Sequence, residues 1–258
     1  MKRILLLAGA ALTLASAQAQ AQQALAFVTC PMLRDTATVP CWLAEYNGEL
    51  FYLATQDDPA AAVSPPSLGH QALIEGTPTA ERRCGGRVLT GLHVSVRPDR
   101  DPSCDVIIPA TEAFQVPAPA QGPRAGSATA APRPAALPAA PGSLTRRFDV
   151  LYDFDWQTAG RETALIQEAA AYAQANPVGQ VRIKAYRAAV ALAGGRVLEE
   201  AEGIDLRRGR ELSAALAALG VKGDILVVDN PVPELGDHTR RHAFIEIVFG
   251  GSDDHSEH

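Results

Sequence analysis

Residues 114–143 are dominated by alanine and proline, with Pro117, Pro119, Pro123, Pro132, Pro134, Pro138 and Pro141 among them and almost no large apolar side chain. Such a stretch cannot supply a packed core, so it divides the chain into two units that must each bury their own apolar surface. Repeated proline favours extended geometry at about 3.1 Å per residue, which gives the segment the reach of a tether between two working places or of a passive spacer.

The chain has 258 residues, of which 47% are hydrophobic and 20% charged, enough apolar material for two globular domains. Its formal net charge of −6 disfavours a partner bound through a phosphate backbone, so nucleic acid is not expected. Lys2 and Arg3 precede an apolar run from Ile4 to Ala15, followed by small residues at Ala15, Ala17, Ala19 and Ala21. This pattern predicts a cleavable secretory signal over 1–21 and export to the periplasm or the outer-membrane region. The run is shorter than the roughly 20 residues that span a bilayer, so no transmembrane segment is expected in the mature chain.

All four cysteines, Cys30, Cys41, Cys84 and Cys104, lie in the first unit. An even number in an oxidising compartment predicts two disulfides, and three pairings are open. Cys30–Cys41 with Cys84–Cys104 closes the shortest loops and is preferred on that ground. No spacing is Cys-x-x-Cys, which argues against a redox pair or a zinc ribbon.

The first unit, 28–113, reads as strands. Trp42 to Tyr46 and Glu49 to Thr55 flank Asn47-Gly48, a pair suited to the positive φ angles of a two-residue hairpin turn. Gln71 to Gly76 and Leu89 to Val96 read as further strands. The expectation is a small disulfide-stapled all-β domain, and the order of hairpin, strand and post-cysteine strand resembles OB-type barrels. Trp42, Tyr46, Phe51 and Tyr52 are expected in its core.

The second unit, 144–250, changes period. Phe148, Val150, Tyr152, Phe154 and Trp156 alternate with Asp149, Leu151, Asp153 and Asp155, as in one strand with an apolar face and an acidic edge. A helix over 161–175 places Leu165, Ala169, Tyr172 and Ala173 on one stripe and stops at Asn176-Pro177. Val181, Ile183 and Ala185 form a second strand, and Leu212, Leu216 and Leu219 stripe a second helix that ends at Gly220. Ile225 to Asp229 and Ala243 to Phe249 complete a β-α-β-α-β-β order, a mixed sheet covered by two helices. The fold class expected for the whole chain is therefore α+β. The tail, 251–258, is acidic and histidine-bearing.

Phe148 to Asp155 opening a β-α-β unit, Ile204-Asp205-Leu206-Arg207-Arg208-Gly209 opening the second helix, Leu219-Gly220-Val221 closing it and Arg240-Arg241 leading the last strand resemble the OmpA-like C-terminal domain. The resemblance implies a non-covalent grip on peptidoglycan through the diaminopimelate of its stem peptide. Such a ligand requires a guanidinium for a carboxylate and an acid for an ammonium. The resemblance assigns the first role to Arg208, beside Arg207 in the first turn, although Arg207, Arg208 and Arg210 also read as a solvated basic run.

The acid that the family carries after its second strand is replaced here by Ala188. The chain also has about six extra residues before Arg208, including Gly194-Gly195 and Glu199-Glu200-Ala201-Glu202. Asp205 or one of those glutamates is a candidate replacement if the inserted segment folds back. Two functions stay open: peptidoglycan association, or a structural or protein-interaction module whose partner is another envelope protein. No nucleophile elbow, phosphate-cradling loop or metalloprotease helix is present in the sequence, so neither an enzyme nor a cofactor is expected. His238 and His242, four apart on an extended approach, do not read as a metal pair.

Overall fold

The computed structural model describes residues 23–111, 145–160, 162–176 and 178–249. The signal-like leader, the whole Pro/Ala segment and the acidic tail lie outside these residues.

The first unit is a sheet that returns to its own starting strand. β1 (Leu25–Thr29) and β2 (Pro31–Arg34) are one extended run interrupted only at Cys30. They are followed by β3 (Cys41–Tyr46), β4 (Glu49–Thr55), β5 (His70–Arg83), β6 (Gly86–Arg100) and β7 (Val106–Ile108). The strand order is β1-β5-β6-β4-β3-β2-β7, with β1 antiparallel to β5 and its continuation β2 antiparallel to β3. The hairpin turn falls where the sequence places it, with φ of 52° at Asn47 and 77° at Gly48. Phe27, Trp42, Phe51, Ile74 and Leu89 fill the interior, whereas Tyr46 and Tyr52 are only partly buried.

The disulfides correct the preferred pairing: Cys30 joins Cys104, and Cys41 joins Cys84. Sheet register sets both. β7 runs parallel to β2, with Met32 opposite Val106, and so draws Cys104 back to Cys30. Arg34, opposite Cys41, reaches the β5–β6 turn by donating from Nη1 to the Cys84 carbonyl (2.6 Å). Loop length is a weak selector because closure entropy rises only logarithmically with length.

The second unit consists of β8 (Thr145–Leu151), α1 (Thr163–Ala175), β9 (Val178–Ala185), β10 (Ala188–Ala191), β11 (Val197–Glu199), α2 (Ile204–Ala218), β12 (Ile225–Val228), β13 (Glu234–Leu235) and β14 (His242–Phe249). Its main sheet has the order β12-β9-β14-β8, mixed in direction because β12 is parallel to β9 while β14 is antiparallel to both β9 and β8. Alternation explains the burial: Phe148 and Val150, Val181 and Ile183, and Ala243, Ile245 and Ile247 all point into a core closed by Leu165, Ala169, Ala173, Leu212 and Leu216. Leu219 leaves the stripe and is 38% exposed, since the helix has ended before Gly220, whose φ is 85°. The added residues form the hairpin β10–β11, extended by β13 into a separate three-stranded sheet. The chain is thus mixed α+β, mostly sheet with two helices. Among the described residues no helix is long and apolar enough to cross a membrane.

The two units pack directly on one another. Leu73 from the first meets Phe154, Val190 and Leu192 from the second. The Arg241 guanidinium, fully buried, pairs with Glu75 across the junction (Nη2 to Oε2, 2.6 Å). The Tyr46 hydroxyl donates to the Ala193 carbonyl (2.8 Å), and the Ala193 N–H donates to the Ala26 carbonyl (2.7 Å).

This packing explains why the alternation from Phe148 to Trp156 is not one strand. β8 stops at Leu151, and Asp155 turns with a φ of 62°. Asp153 and Asp155 are therefore not an exposed acidic edge. They lie near His93 (3.7 Å) and Arg97 (3.4 Å) of the first unit.

Candidate functional site

Arg208 stands in the second turn of α2, the helix that starts at Ile204 after Gly203, whose φ is 72°. Gly209 follows because α2 crosses β12 closely there; a Cβ would collide with the Val227 side chain. The neighbouring Arg208 side chain also points inward and has no exposed surface.

All five guanidinium N–H donors are used within the chain. Nε donates to the Trp156 carbonyl (2.9 Å), while Nη1 serves the Tyr186 carbonyl (2.8 Å) and Glu200 Oε2 (2.8 Å). Nη2 serves the Asp153 carbonyl (3.2 Å) and Glu200 Oε1 (2.5 Å). The planar fork of arginine matches a carboxylate in two parallel bonds, and here that carboxylate is Glu200. The other lone pairs of Glu200 are also filled: Oε1 accepts the Asp155 N–H (3.0 Å) and Oε2 the Ala188 N–H (2.8 Å). The Tyr152 ring lies under the guanidinium, 4.5 Å from centroid to Cζ, and burial pushes its phenol well above the ordinary tyrosine range, partly opposed by the Arg208 charge.

The arrangement is a charge-neutral strut tying α2 to the β8–α1 segment, to the end of β9 and to the inserted hairpin. The inserted segment does fold back, and of the candidate acids Glu200 is the one that reaches Arg208. Its carboxylate sits on the backbone of Ala188, where the expected acid is missing.

Asp205, 2% exposed, instead accepts the Asn230 N–H on Oδ2 (3.0 Å) and ties the first turn of α2 to the end of β12. A hydrogen bond shared with Asp205 raises the Asp229 carboxyl above its ordinary range. Arg207 donates to the Glu202 carbonyl (3.1 Å) and lines a surface cleft of about 340 Å3 with Gln157, Arg210 and Glu211. The three residues singled out from the sequence, Arg208, Asp205 and Arg207, thus go to three different surroundings.

No local spacing marks the Glu75–Arg241 pair, since Glu75 and Arg241 are 166 positions apart. His238 stacks on His93 (4.4 Å between centroids) and His242 lies against Tyr186 and Phe244, so the two histidines face different neighbours. Among the described residues no group of three or more His, Cys, Asp or Glu side chains is placed to hold a metal ion. Compared with known protein families, curated proteins and solved structures, the chain matches none.

Proposed function

We propose that this chain is an exported, non-catalytic cell-envelope protein in which an OmpA-like α/β domain serves as a structural or protein-interaction module rather than as a diaminopimelate clamp. The observation that carries this reading is Arg208, fully buried with every N–H donor engaged by its own chain. A ligand carboxylate would have to displace Glu200, and replacing one buried charge-assisted fork by another leaves little net gain for binding. The β-α-β-α-β-β order and the two helices over a mixed sheet support the OmpA-like part. A sheet that returns to its own first strand supports an OB-like reading of the stapled unit. Two units in direct contact suit a module that presents a composite surface to an envelope partner. Periplasmic or outer-membrane placement rests on the leader-like sequence and the disulfides.

A second reading, peptidoglycan association, is favoured by the cleft lined by Arg207 and Arg210, which offers two guanidinium groups near the helix start. Sedimentation with purified sacculi separates the two. The full mature chain is expected to stay in the supernatant at low and physiological salt. Pelleting that is lost in the double variant Arg207→Ala, Arg210→Ala would overturn the module reading in favour of a displaced wall contact.

A further inference from the structure

A second cleft, about 350 Å3, opens where the two units meet, with His70, Val96 and Arg97 from the first and Asp153 and Trp156 from the second. Its volume is at the low end of small-ligand sites, which form preferentially at domain boundaries. Trp156 belongs to none of the three apolar clusters and is 38% exposed, yet its indole is fixed: Nε1 donates to the Val96 carbonyl (2.6 Å). A rigid, solvent-facing indole outside the core is a stacking surface, because the ring face is apolar while its one polar atom is already satisfied.

Arg97 stands in contrast to Arg208. Its Nε is buried without a partner, and its contacts from Nη1 to Gln71 Oε1 (3.5 Å) and from Nη2 to Asp155 Oδ2 (3.4 Å) are long. Both lie outside the usual N–H···O range of about 2.7–3.2 Å, so the guanidinium keeps capacity for a carboxylate. His70 engages the Arg97 carbonyl through Nδ1 (2.9 Å), leaving Nε2 as its second polar atom, and Asp153 supplies a carboxylate on the other wall.

We infer that this cleft binds a carboxylated sugar, with its ring on Trp156, its carboxylate on Arg97 and its hydroxyls on Asp153 and His70. The flat face calls for a ring, the arginine for an anion, and the aspartate and histidine for hydroxyl partners. A phosphate is disfavoured because its higher charge would meet Asp153 and Asp155. This inference does not rest on the module reading: Arg208 holds the Asp153 and Trp156 carbonyls but is not itself a group that would meet the sugar, and the cleft beside Arg207 is not involved.

The test is tryptophan fluorescence of the full mature chain titrated with N-acetylmuramic acid, with glucuronic acid and with the neutral N-acetylglucosamine. Trp42 is completely buried in the barrel, so Trp156 is the reporter of the cleft. A saturable change with at least one acidic sugar, about tenfold weaker or absent with the neutral one, is expected. A response to the muramic acid alone identifies wall glycan stripped of its stem peptide, whose amide otherwise occupies that carboxylate, and a response to glucuronic acid identifies an acidic polysaccharide. Arg97→Gln should weaken binding about tenfold with an unchanged melting temperature. If that variant melts early, calorimetric titration of Trp156→Leu takes its place and should give no binding heat. No saturation with either acid, or equal binding of acidic and neutral sugars, overturns the inference.

Discussion

Glu200→Gln removes one charge from the buried strut and alters almost nothing in size. Each oxygen of Glu200 accepts two N–H donors, so whichever position the new amide NH2 takes, it points a donor at donors. The guanidinium of Arg208, with no exposed surface, then has no countercharge. Breaking a buried pair from one side costs about 3–5 kcal/mol. For a protein of this size that corresponds to a melting temperature lower by roughly 6–20 °C. The assay is thermal unfolding followed by circular dichroism, with urea unfolding as a second measure.

Arg208→Met in the same background should lose less than the sum of the single changes, because the two residues act on one another. It should not recover fully, since the carbonyls of Asp153, Trp156 and Tyr186 are left without their donor. A Glu200→Gln variant melting within about 2 °C of the wild type would refute the buried fork.

Three further outcomes follow from the same physics. Glu75→Gln strands the buried Arg241 guanidinium at the junction and is expected to cost about 3 kcal/mol and to split one calorimetric transition into two; a single unshifted transition would contradict the packed interface. Asp229 shares a hydrogen bond with Asp205 that raises its folded-state pKa, so the native state is favoured most below the ordinary carboxylate value of about 4 and loses that advantage as pH rises through the raised value. Asp229→Asn should therefore raise the melting temperature at pH 7 and leave it unchanged near pH 3, and the same shift at both pH values would count against the pairing. Peptide mapping without reduction should recover Cys30 linked to Cys104 and Cys41 linked to Cys84. Replacing the first pair by serine, across a sequence separation of 74, should cost about 4 kcal/mol by chain entropy, as read from urea midpoints.

Local signals were legible in the sequence. Asn47-Gly48 marks its hairpin because few dipeptides adopt two positive φ angles, and Leu165, Ala169 and Ala173 mark the buried face of α1 because a helix repeats every 3.6 residues. What was not legible depends on long-range register. Cysteine pairing is decided by β7 lying along β2, which no local spacing encodes. Phe154 and Trp156 continue the period of β8 but serve the junction instead, because Leu73, Val96 and Arg97 are waiting in another unit. The role of Arg208 was half legible: its place at the start of α2 could be read, and the run Glu199-Glu200-Ala201-Glu202 stood out as a source of acid. That the acid would be spent internally required the hairpin β10–β11 to bring Glu200 onto the backbone of Ala188.

The side-chain NMR signals of Arg208 in the 15N-labelled protein test the central claim most directly. A guanidinium held by five internal acceptors should give resolved, slowly exchanging Nε and Nη protons that do not move when a diaminopimelate-containing muropeptide is added. Rapid exchange with water, or shifts that titrate with the muropeptide, would mean that Arg208 is open to ligand and that the internal strut is not how this domain is held.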